Sequence, residues 1–468
     1  MFDRPARREL VDVLRRAPVI PGLNDELVQL SENEWRWALA RLRQARLIEN
    51  PKGPAIDAHP LVREHFGARL RTERPVAWRA GHGRLYEHLR DSSKRLPDTL
   101  TDMTPLFQAM HHGCLCGRHQ EALRQVYWAR IQREEQSYNT TTLGAIGAEL
   151  AALAGLFDPP WDNPVATLTE ADQGWILNEA AYDLRALGRL REAVAPMRAA
   201  LERMIEQKHW SNAAGSASNL SELLMSLGDV DEAETIGEAS VDYADRSEDA
   251  FLRMGNRTTW ADALHQAGKI ARANALFEVA EALQAERQPA YPRLYSLQGY
   301  RYCDLLLAQG YAAEVRERAT QTLKWVTRGG GGLLTIALDH LSLGRAALAL
   351  GEHREASAQL DQAVNGLRRA GTIHNLPWGL LARAALFWET GNSSATRRDL
   401  DEVMRIARRS EMRLFECDAH LEYARLALAE GEREKARGHV AEARRLVEET
   451  GYGRRRPEVE EVEQALRS

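Results

Sequence analysis

The chain has 468 residues, a formal net charge of −5, 44% hydrophobic residues and 28% charged residues. This length exceeds one compact core and predicts an extended array beside a smaller region. The composition excludes a disordered chain, and no run approaches the ~18 apolar residues of a membrane span. With four cysteines and no apolar leader, the sequence predicts a cytoplasmic protein without a disulfide scaffold or a membrane partner.

Residues 1–72 predict a small domain that begins with helices. The first helix is expected over Arg7–Arg15, and a short second helix near Asp25–Leu30. Ser31 can cap the next helix, and Glu34 stands at the third helical position, where it completes a capping box.

A hairpin follows these helices. A short apolar run leads into the sequence Pro-Lys-Gly-Pro at 51–54 and then into Ala55-Ile56-Asp57, and another helix begins at Pro60. Proline and glycine between two apolar runs favour a turn between strands. The order of helices and hairpin predicts that residues 1–72 form a winged-helix domain.

Residues 76–165 predict a helical bridge with a divergent first repeat. An amphipathic helix is expected over Trp78–Leu89 and another over Leu143–Phe157. Between them, residues 106–131 predict a helical hairpin that turns at Gly117. The Pro-Pro-Trp-Asp-Asn-Pro run that follows ends this region.

Residues 169–468 contain a regular repeat. Seven glycines recur at intervals of 40 to 42 residues: Gly188, Gly228, Gly268, Gly310, Gly351, Gly391 and Gly431. A small residue always stands seven positions earlier, and in five units an alanine stands five positions later. The pattern resembles the tetratricopeptide repeat (TPR), which is a pair of antiparallel helices. We therefore predict an all-α protein with a right-handed TPR-like solenoid of about seven repeats and a capping helix over Pro457–Leu466.

The stretch Leu47–Phe66, with the sequence Asp-Ala-His-Pro-Leu-Val-Arg-Glu from Asp57, resembles the end of the winged-helix domain in STAND signalling ATPases with NACHT or NB-ARC cores. The resemblance implies that His59 contacts the β-phosphate of bound ADP in a complete NTPase. Pro60 departs from the family, in which an Asp follows the histidine. The alternative is that His59 only caps the helix that starts at Pro60.

The phosphate-binding loop of such ATPases, G-x-x-x-x-G-K-[ST], does not occur in this sequence. The chain is therefore expected to be no enzyme by itself and to need an ATPase domain in cis or in trans. It would be either the carboxy-terminal part of a larger NTPase or a stand-alone relative.

Sulfur and imidazole ligands come together once, at His111, His112, Cys114 and Cys116. No second pair stands at zinc-binding spacing, so helix packing is the preferred interpretation. No nucleophile and base stand in a recognisable pattern either. We predict no catalytic residues, no metal and no cofactor.

The inner groove of the repeats is the predicted binding surface, because the first helix of each TPR unit lines it. Counting from the turn glycines selects Asn178, Tyr182, Arg185, Glu222, Asp262, His265, Tyr300, Asp304, Arg345, Trp388 and Arg425. Acidic residues stand centrally and arginines follow, which favours a ligand with a basic centre. The long period also favours a broad groove for a protein or peptide ligand.

The leading hypothesis is a sensor module of a bacterial-type STAND NTPase, a class that includes innate-immune, antiphage and transcription-activating switches. One alternative is a constitutive TPR scaffold or adaptor, and another is a winged-helix transcriptional regulator. The helix after Ser31 carries Arg36, Arg41, Arg43 and Arg46 for phosphate contacts. Tryptophans and leucines share that short helix, so nucleic acid is not the expected partner.

Overall fold

The computed structural model describes residues 5–49, 55–329 and 331–467, and these form two compact units. The first unit runs to Tyr138 and also includes Ala151–Thr169, whereas the second combines Asn139–Leu150 with the chain from Glu170 onwards. Three short strands are the exceptions to a helical fold among the described residues. The predicted all-α, TPR-like fold class is confirmed.

The first unit begins with helices and a small sheet. Its elements are β1 (Ala6–Arg7), α1 (Arg8–Arg15), α2 (Glu32–Gln44), β2 (Ile48–Glu49), β3 (Ala55–Ala58) and α3 (Pro60–Glu73). The sheet is antiparallel in the order β1-β3-β2, with Ala6 opposite Ile56 and Ile48 opposite Ala58. The predicted turn at 51–54 lies outside the described residues, and the winged-helix identity of this region stays a prediction.

The predicted helix near Asp25–Leu30 is wrong, because this segment forms a series of turns. The buried Asn24 side chain accepts a hydrogen bond from the N–H of Ile20 at 2.6 Å and donates one to the carbonyl of Leu14 at 2.8 Å. Asparagine side chains that bond the backbone in this way compete with helix formation.

The capping box at the start of α2 is confirmed. The N–H of Glu34 donates to Ser31 Oγ at 3.3 Å, and the N–H of Ser31 donates to Glu34 Oε2 at 2.8 Å. Two backbone donors that the helix leaves free are thereby satisfied.

The rest of the first unit is a helical hairpin with a buried core. It contains α4 (Pro75–Ser92), α5 (Leu100–Leu115), α6 (His119–Glu121), the π-helical segment Ala122–Gln132 and the 3-10 turns Glu134–Gln136 and Ala154–Leu156. Gly117 makes the turn after α5, with a φ of +83°. Leu85, Tyr86, Leu106 and Val126 are fully buried between these helices.

The chain passes between the units through α7 (Tyr138–Thr141) and α8 (Ile146–Leu153). The second unit then contains seven helix pairs and a final helix within the described residues. The pairs are α9 (Glu170–Ala186) and α10 (Leu190–Glu206), α11 (Trp210–Leu227) and α12 (Val230–Ser247), α13 (Ala250–Gln266) and α14 (Ile270–Arg287), α15 (Ser296–Ala308) and α16 (Ala312–Arg328), α17 (Leu333–Ala349) and α18 (His353–Ala370), α19 (Leu376–Glu389) and α20 (Ser393–Ser410), and α21 (Arg413–Ala429) and α22 (Arg433–Thr450). Helix α23 (Arg456–Arg467) ends the unit, and none of the described helices is long and apolar enough to cross a membrane.

Each pair turns at its predicted glycine, with φ values between +74° and +91°. Residues with a Cβ rarely adopt this conformation, which explains the recurring glycine. The small residues before these turns are buried where paired helices cross. In the second pair, for example, Ser221 Oγ donates to the carbonyl of Ala233 at 2.6 Å, and Ala233 is the alanine that follows the turn.

The second unit coils until early repeats touch late repeats. A Cβ at the turn glycines would come within 2.6 Å of Ser410 Oγ for Gly188, 2.8 Å of Thr450 Cγ2 for Gly228, and 3.1 Å of the Gly453 carbonyl carbon for Gly268. Arg191 and Glu411 form an ion pair across the same seam at 2.8 Å. The broad groove expected from the sequence is therefore wrong, because the inner face encloses a pocket instead.

Candidate functional site

The interior pocket has a volume of about 230 Å³. The inner helices α9, α11, α13, α15 and α17 form one side, and α19, α21 and the loop before α23 form the other. Six of the predicted groove residues line it: Arg185, Glu222, Asp262, Tyr300, Asp304 and Arg345. Five further lining residues carry the argument below: Arg301, His374, Trp378, Asp418 and Arg454.

Glu222 is the centre of the first charge cluster in the pocket. Arg185 pairs with it at 2.5 Å, and Arg301 forms a second ion pair with the same carboxylate. Burial by itself would raise the pKa of Glu222, but the two guanidinium groups outweigh burial and hold the pKa at about 2. Glu222 is therefore ionised at neutral pH.

Asp262 belongs to the same cluster. Its carboxylate lies 3.4 Å from Nε of Arg301 and accepts a hydrogen bond from Gln266 at 2.7 Å. Burial raises the pKa of Asp262, and the nearby Arg301 opposes that shift. One arginine of α15 thus bridges carboxylates of α11 and α13.

Asp304 is the centre of the second charge cluster. Arg345 pairs with it at 2.7 Å, and Arg454, from the loop before α23, pairs at 2.5 Å. Burial opposes ionisation, but Arg454 and Arg345 outweigh it and hold the pKa of Asp304 well below its usual value. The cluster joins α15 to a loop 150 residues later in the chain.

Tyr300 of α15 and two aromatic residues of the late repeats, Trp378 and Phe415, form an aromatic wall of the pocket. The rings of Tyr300 and Trp378 are 4.8 Å apart at 38°, and Phe415 meets Trp378 edge-on at 6.3 Å. Aromatic pairs in these arrangements pack favourably. Nearby, Asp418 pairs with Arg455 at 2.7 Å and accepts a hydrogen bond from the hydroxyl of Tyr452 at 3.2 Å.

Five of the predicted groove residues are not among those that line the pocket: Asn178, Tyr182, His265, Trp388 and Arg425. His265 is fully buried beside the pocket, 3.6 Å from Asp304, and burial followed by Arg454 lowers its pKa to about 3. Arg425 pairs with Glu458 at 2.6 Å, behind the lining residues. Trp388 lies near the end of α19 with 39% of its surface exposed.

The remaining two residues have local partners. Asn178 accepts a hydrogen bond from Asn219 at 3.2 Å, and the Tyr182 ring lies 5.5 Å from the guanidinium of Arg185. The positions counted from the turn glycines predicted pocket residues most often at six residues before the glycine, where Glu222, Asp262 and Asp304 stand. Three positions before the glycine the outcome differs between repeats: His265 and Trp388 do not line the pocket, whereas Arg185 does.

Sequence reasoning missed Arg301, His374, Trp378, Asp418 and Arg454. Trp378 and Asp418 both stand thirteen residues before their turn glycines, so a second inner register could have been found from the sequence. No spacing signal indicates Arg454, because its distance from Asp304 depends on how far the array coils. The structure therefore adds the late repeats to the site.

The expectation of a ligand with a basic centre loses its basis. Glu222, Asp262 and Asp304 already have guanidinium partners within the pocket. A basic ligand would have to compete with Arg301 and Arg454 for these carboxylates. Of the arginines that the sequence placed toward the carboxyl end, Arg345 pairs with Asp304, whereas Arg425 pairs with Glu422 and Glu458.

His59 lies in the first unit, exposed at the start of α3. Its Nδ1 accepts a hydrogen bond from the N–H of Leu61 at 3.3 Å, which is the capping geometry of the alternative interpretation. Beside it, Asp57 and Arg63 form an ion pair. The phosphate-sensing role of His59 stays a prediction.

The His-Cys segment of α5 packs within the first unit. Nδ1 of His112 lies 3.0 Å from Nδ1 of His82, and Cys114 is buried. Burial is the main cause that lowers the pKa of His82 to about 2 and of His112 to about 3, so both rings are neutral. In the part of the chain that the structure describes, no three His, Cys, Asp or Glu side chains form a group that could hold a metal ion.

With the geometry described, the chain can be compared with known proteins. No protein-family model matches its sequence, and no curated protein matches it. Solved structures with a similar fold are repeat proteins. A Signal Transduction ATPase with Numerous Domains (STAND) protein with a tetratricopeptide repeat sensor, from Pyrococcus horikoshii, is 16% identical with a TM-score of 0.41 and covers 95% of this chain. This chain spans 60% of the length of that protein.

Two further structures show similar likeness. A Rap protein complexed with competence and sporulation factor is 12% identical, with a TM-score of 0.38 and coverage of 83% of this chain and 98% of that one. A human IFIT1 dimer with m7Gppp-AAAA is 13% identical, with a TM-score of 0.43 and coverage of 98% and 99%. The class of protein that the seven helix pairs and their turn glycines define is the TPR-like helical repeat proteins, and no role is concluded from these likenesses.

Proposed function

We propose that this chain is the recognition module of a STAND-type signalling NTPase and that its trigger binds in the interior pocket. The observation that carries the proposal is that residues from distant repeats line the same pocket. Glu222 and Asp304 come from early repeats, whereas Trp378 and Arg454 come from late repeats. A ligand in this pocket would contact both.

This arrangement supports a switch, because a ligand shifts a conformational balance only through different affinities for two states. With the seam closed, early and late repeats both line the pocket. With the seam open, a ligand would lose the contacts of one side. Binding would therefore stabilise the closed arrangement of the second unit.

The link to STAND proteins is supported by the Leu47–Phe66 sequence and by the helices and strands on which it lies. The proposal assigns residues 1–72 to a winged-helix domain that contacts an ATPase domain in cis or in trans. The chain itself would contribute recognition rather than catalysis. In this role His59 would report the nucleotide state, while the repeats bind the trigger.

The pocket size narrows the class of trigger. Small-molecule sites usually enclose roughly 300 to 1,000 Å³, and the volume of this pocket, about 230 Å³, is below that range. A folded protein domain would not enter without opening the seam. A small molecule, or the end of a peptide, matches the closed pocket.

The recognition step is tested by thermal unfolding in the presence of the protein-free, low-molecular-weight fraction from cells in which the chain is naturally made. A ligand specific for the folded state increases the free energy of unfolding by about 2.7 kcal/mol when its concentration is 100 times its Kd, and it thereby raises the melting temperature. We expect a rise of several degrees for the wild-type chain. Trp378→Leu should lose the rise, because Trp378 supplies the aromatic wall of the pocket.

Trp388→Leu is the matched control, since it makes the same substitution on the same helix outside the pocket lining. It should respond like the wild-type chain. Equal responses of the two variants, or no response of the wild-type chain, would contradict recognition in this pocket.

A further inference from the structure

We infer that the interior pocket takes an uncharged, polyhydroxylated small molecule. This inference rests on the proposed recognition function and names the chemical class of its ligand. Three properties of the described lining residues carry it: the balance of charge, the unpaired polar atoms and the aromatic wall.

The charges that line the pocket cancel. Five cationic and five acidic side chains line it: Arg185, Arg301, Arg345, Arg454 and Arg455, with Glu222, Asp262, Asp304, Asp418 and Glu422. Each acidic residue has an arginine partner within 4 Å, and the partner of Glu422 is Arg425 just behind the lining. Arg425 also pairs with Glu458, and these two residues add one positive and one negative charge next to the lining.

A charged ligand would disturb this balance. It would bring one uncompensated charge into a desolvated site, or it would displace an arginine or a carboxylate from its partner. Either event leaves a buried charge unpaired, which is costly. An uncharged ligand can bind while every ion pair remains intact.

The other polar side chains of the pocket are neutral too. Burial followed by the neighbouring Arg185 lowers the pKa of His374 to about 3, so its ring is uncharged at neutral pH. Burial is the largest cause that raises the pKa of Tyr300 and of Tyr452. These groups offer hydrogen bonds to a ligand without adding charge.

Three well-buried side chains in the lining have polar atoms without a hydrogen-bond partner. Arg185, 3% exposed, and Arg301, 5% exposed, leave their Nε–H donors without a hydrogen bond, and His374, 8% exposed, leaves Nδ1 without one. The His374 ring bonds to the backbone of Ala186, so the bonded nitrogen is Nε2 and Nδ1 of the neutral ring is an acceptor. The lining residues therefore carry two unsatisfied donors and one unsatisfied acceptor.

Hydroxyl groups match this combination. One hydroxyl donates a single hydrogen bond and accepts others, so it can satisfy an imidazole nitrogen or a carboxylate as well as a guanidinium N–H. Arginines and carboxylates alternate around the pocket, so hydrogen-bond donors and acceptors lie side by side at several points. A molecule with several hydroxyls meets it, whereas an ether or a hydrocarbon does not.

The aromatic wall can contact the carbon skeleton of such a ligand. Trp378, Tyr300 and Phe415 give an apolar surface on one side of the pocket. The carbon-bound hydrogens of a compact polyhydroxylated molecule can pack on this face while its hydroxyls point toward the charged side. Burying that apolar area adds affinity without a demand for further polar partners.

The experiment uses the full chain and the low-molecular-weight cell fraction, now deionised over a strong cation exchanger in its acid form and a strong anion exchanger in its base form. These resins retain acids, bases and zwitterions, including peptides. We expect the deionised fraction to keep its full stabilising effect on the wild-type chain. Loss of the effect on either resin would overturn the inference while the recognition function stands.

Periodate treatment of the deionised fraction, quenched before use, tests the hydroxyls. Periodate cleaves bonds between neighbouring hydroxyl-bearing carbons, so the stabilising effect should disappear. An effect that survives periodate would overturn the polyhydroxylated class. If the untreated fraction never stabilises the chain, the proposed function fails, and this inference fails with it.

His374→Ala tests the contact itself, because the ligand should lose one hydrogen bond to a neutral acceptor. We expect about a tenfold greater amount of deionised fraction to be needed for half of the stabilising effect. His353→Ala is the matched control on the exposed surface of α18 and should need no more than the wild-type chain. Equal requirements for the two variants would contradict the pocket geometry.

Discussion

The pocket carboxylates of the second unit and the two helix caps of the first unit lie in opposite environments. In the second unit, Glu222 and Asp304 are surrounded by arginines inside the repeat array. In the first unit, Ser31 and His59 are exposed and satisfy the first backbone donors of their own helices. The comparison teaches that these interior carboxylates hold neighbouring repeats together, whereas the two caps define where a single helix begins.

The largest expected loss in the free energy of unfolding is that of Asp304→Asn. The substitution leaves Arg345 and Arg454 without their shared carboxylate inside the protein, and breaking a buried ion pair costs about 3–5 kcal/mol. Urea unfolding followed by circular dichroism measures the loss.

Glu411→Gln provides the control for that substitution, because its ion pair with Arg191 is largely exposed. Surface pairs contribute about 0–1 kcal/mol. If the two variants lost the same stability, the contrast between interior and surface charges would be wrong.

The next expected effect is a pH dependence of the free energy of unfolding. The pKa of His265 is about 3 in the folded chain and about 6.5 when unfolded, so between these values the unfolded chain binds a proton that the folded chain does not. Stability is therefore fully present above about pH 6.5 and falls as the pH falls toward 3, by up to about 1.4 kcal/mol per pH unit for this residue.

His265→Gln should flatten this dependence, since glutamine does not titrate. Unfolding free energies measured across this range give the slope for both proteins. The slope is the readout, so a lower absolute stability of the variant does not affect it. Identical slopes would show that His265 does not remain neutral in the interior.

The smallest effects are expected in the first unit. Ser31→Ala removes a capping box and should cost about 1 kcal/mol, whereas His59→Ala removes a weaker cap and should cost less. Chemical unfolding of each variant measures these values. In a complete NTPase, only His59→Ala should speed the release of bound ADP, and Ser31→Ala is the matched control. Equal ADP release from both variants would assign His59 to capping alone.

Much of the repeat unit could be predicted from the sequence because its signals are local. A glycine with positive φ is required wherever a helix pair turns, and each of the seven turns follows that rule. The capping box of Ser31 likewise depends on residues within one helical turn. The Asp25–Leu30 segment failed because Asn24 bonds to the backbone of Leu14, a contact that no helix propensity records.

The site could be predicted only in part. Glu222, Asp262 and Asp304 share one register relative to the turn glycines, so helical geometry by itself directs them inward. Their partners Arg301 and Arg454 have no such common signal. The sequence indicated three of the five acidic residues that line the pocket, but it did not indicate that arginines already neutralise them.

By itself, the sequence determined that the chain is a helical repeat protein, where its repeats turn and that Glu222, Asp262 and Asp304 face inward, because these properties depend on spacings of a few residues. Only the tertiary structure decided that the inner face closes into a pocket. That closure depends on small rotations added over successive repeats, which bring Gly453 and Arg454 against α13 and α15. No local pattern encodes their sum, so the change from an open groove to a charge-balanced pocket became visible only in the folded chain.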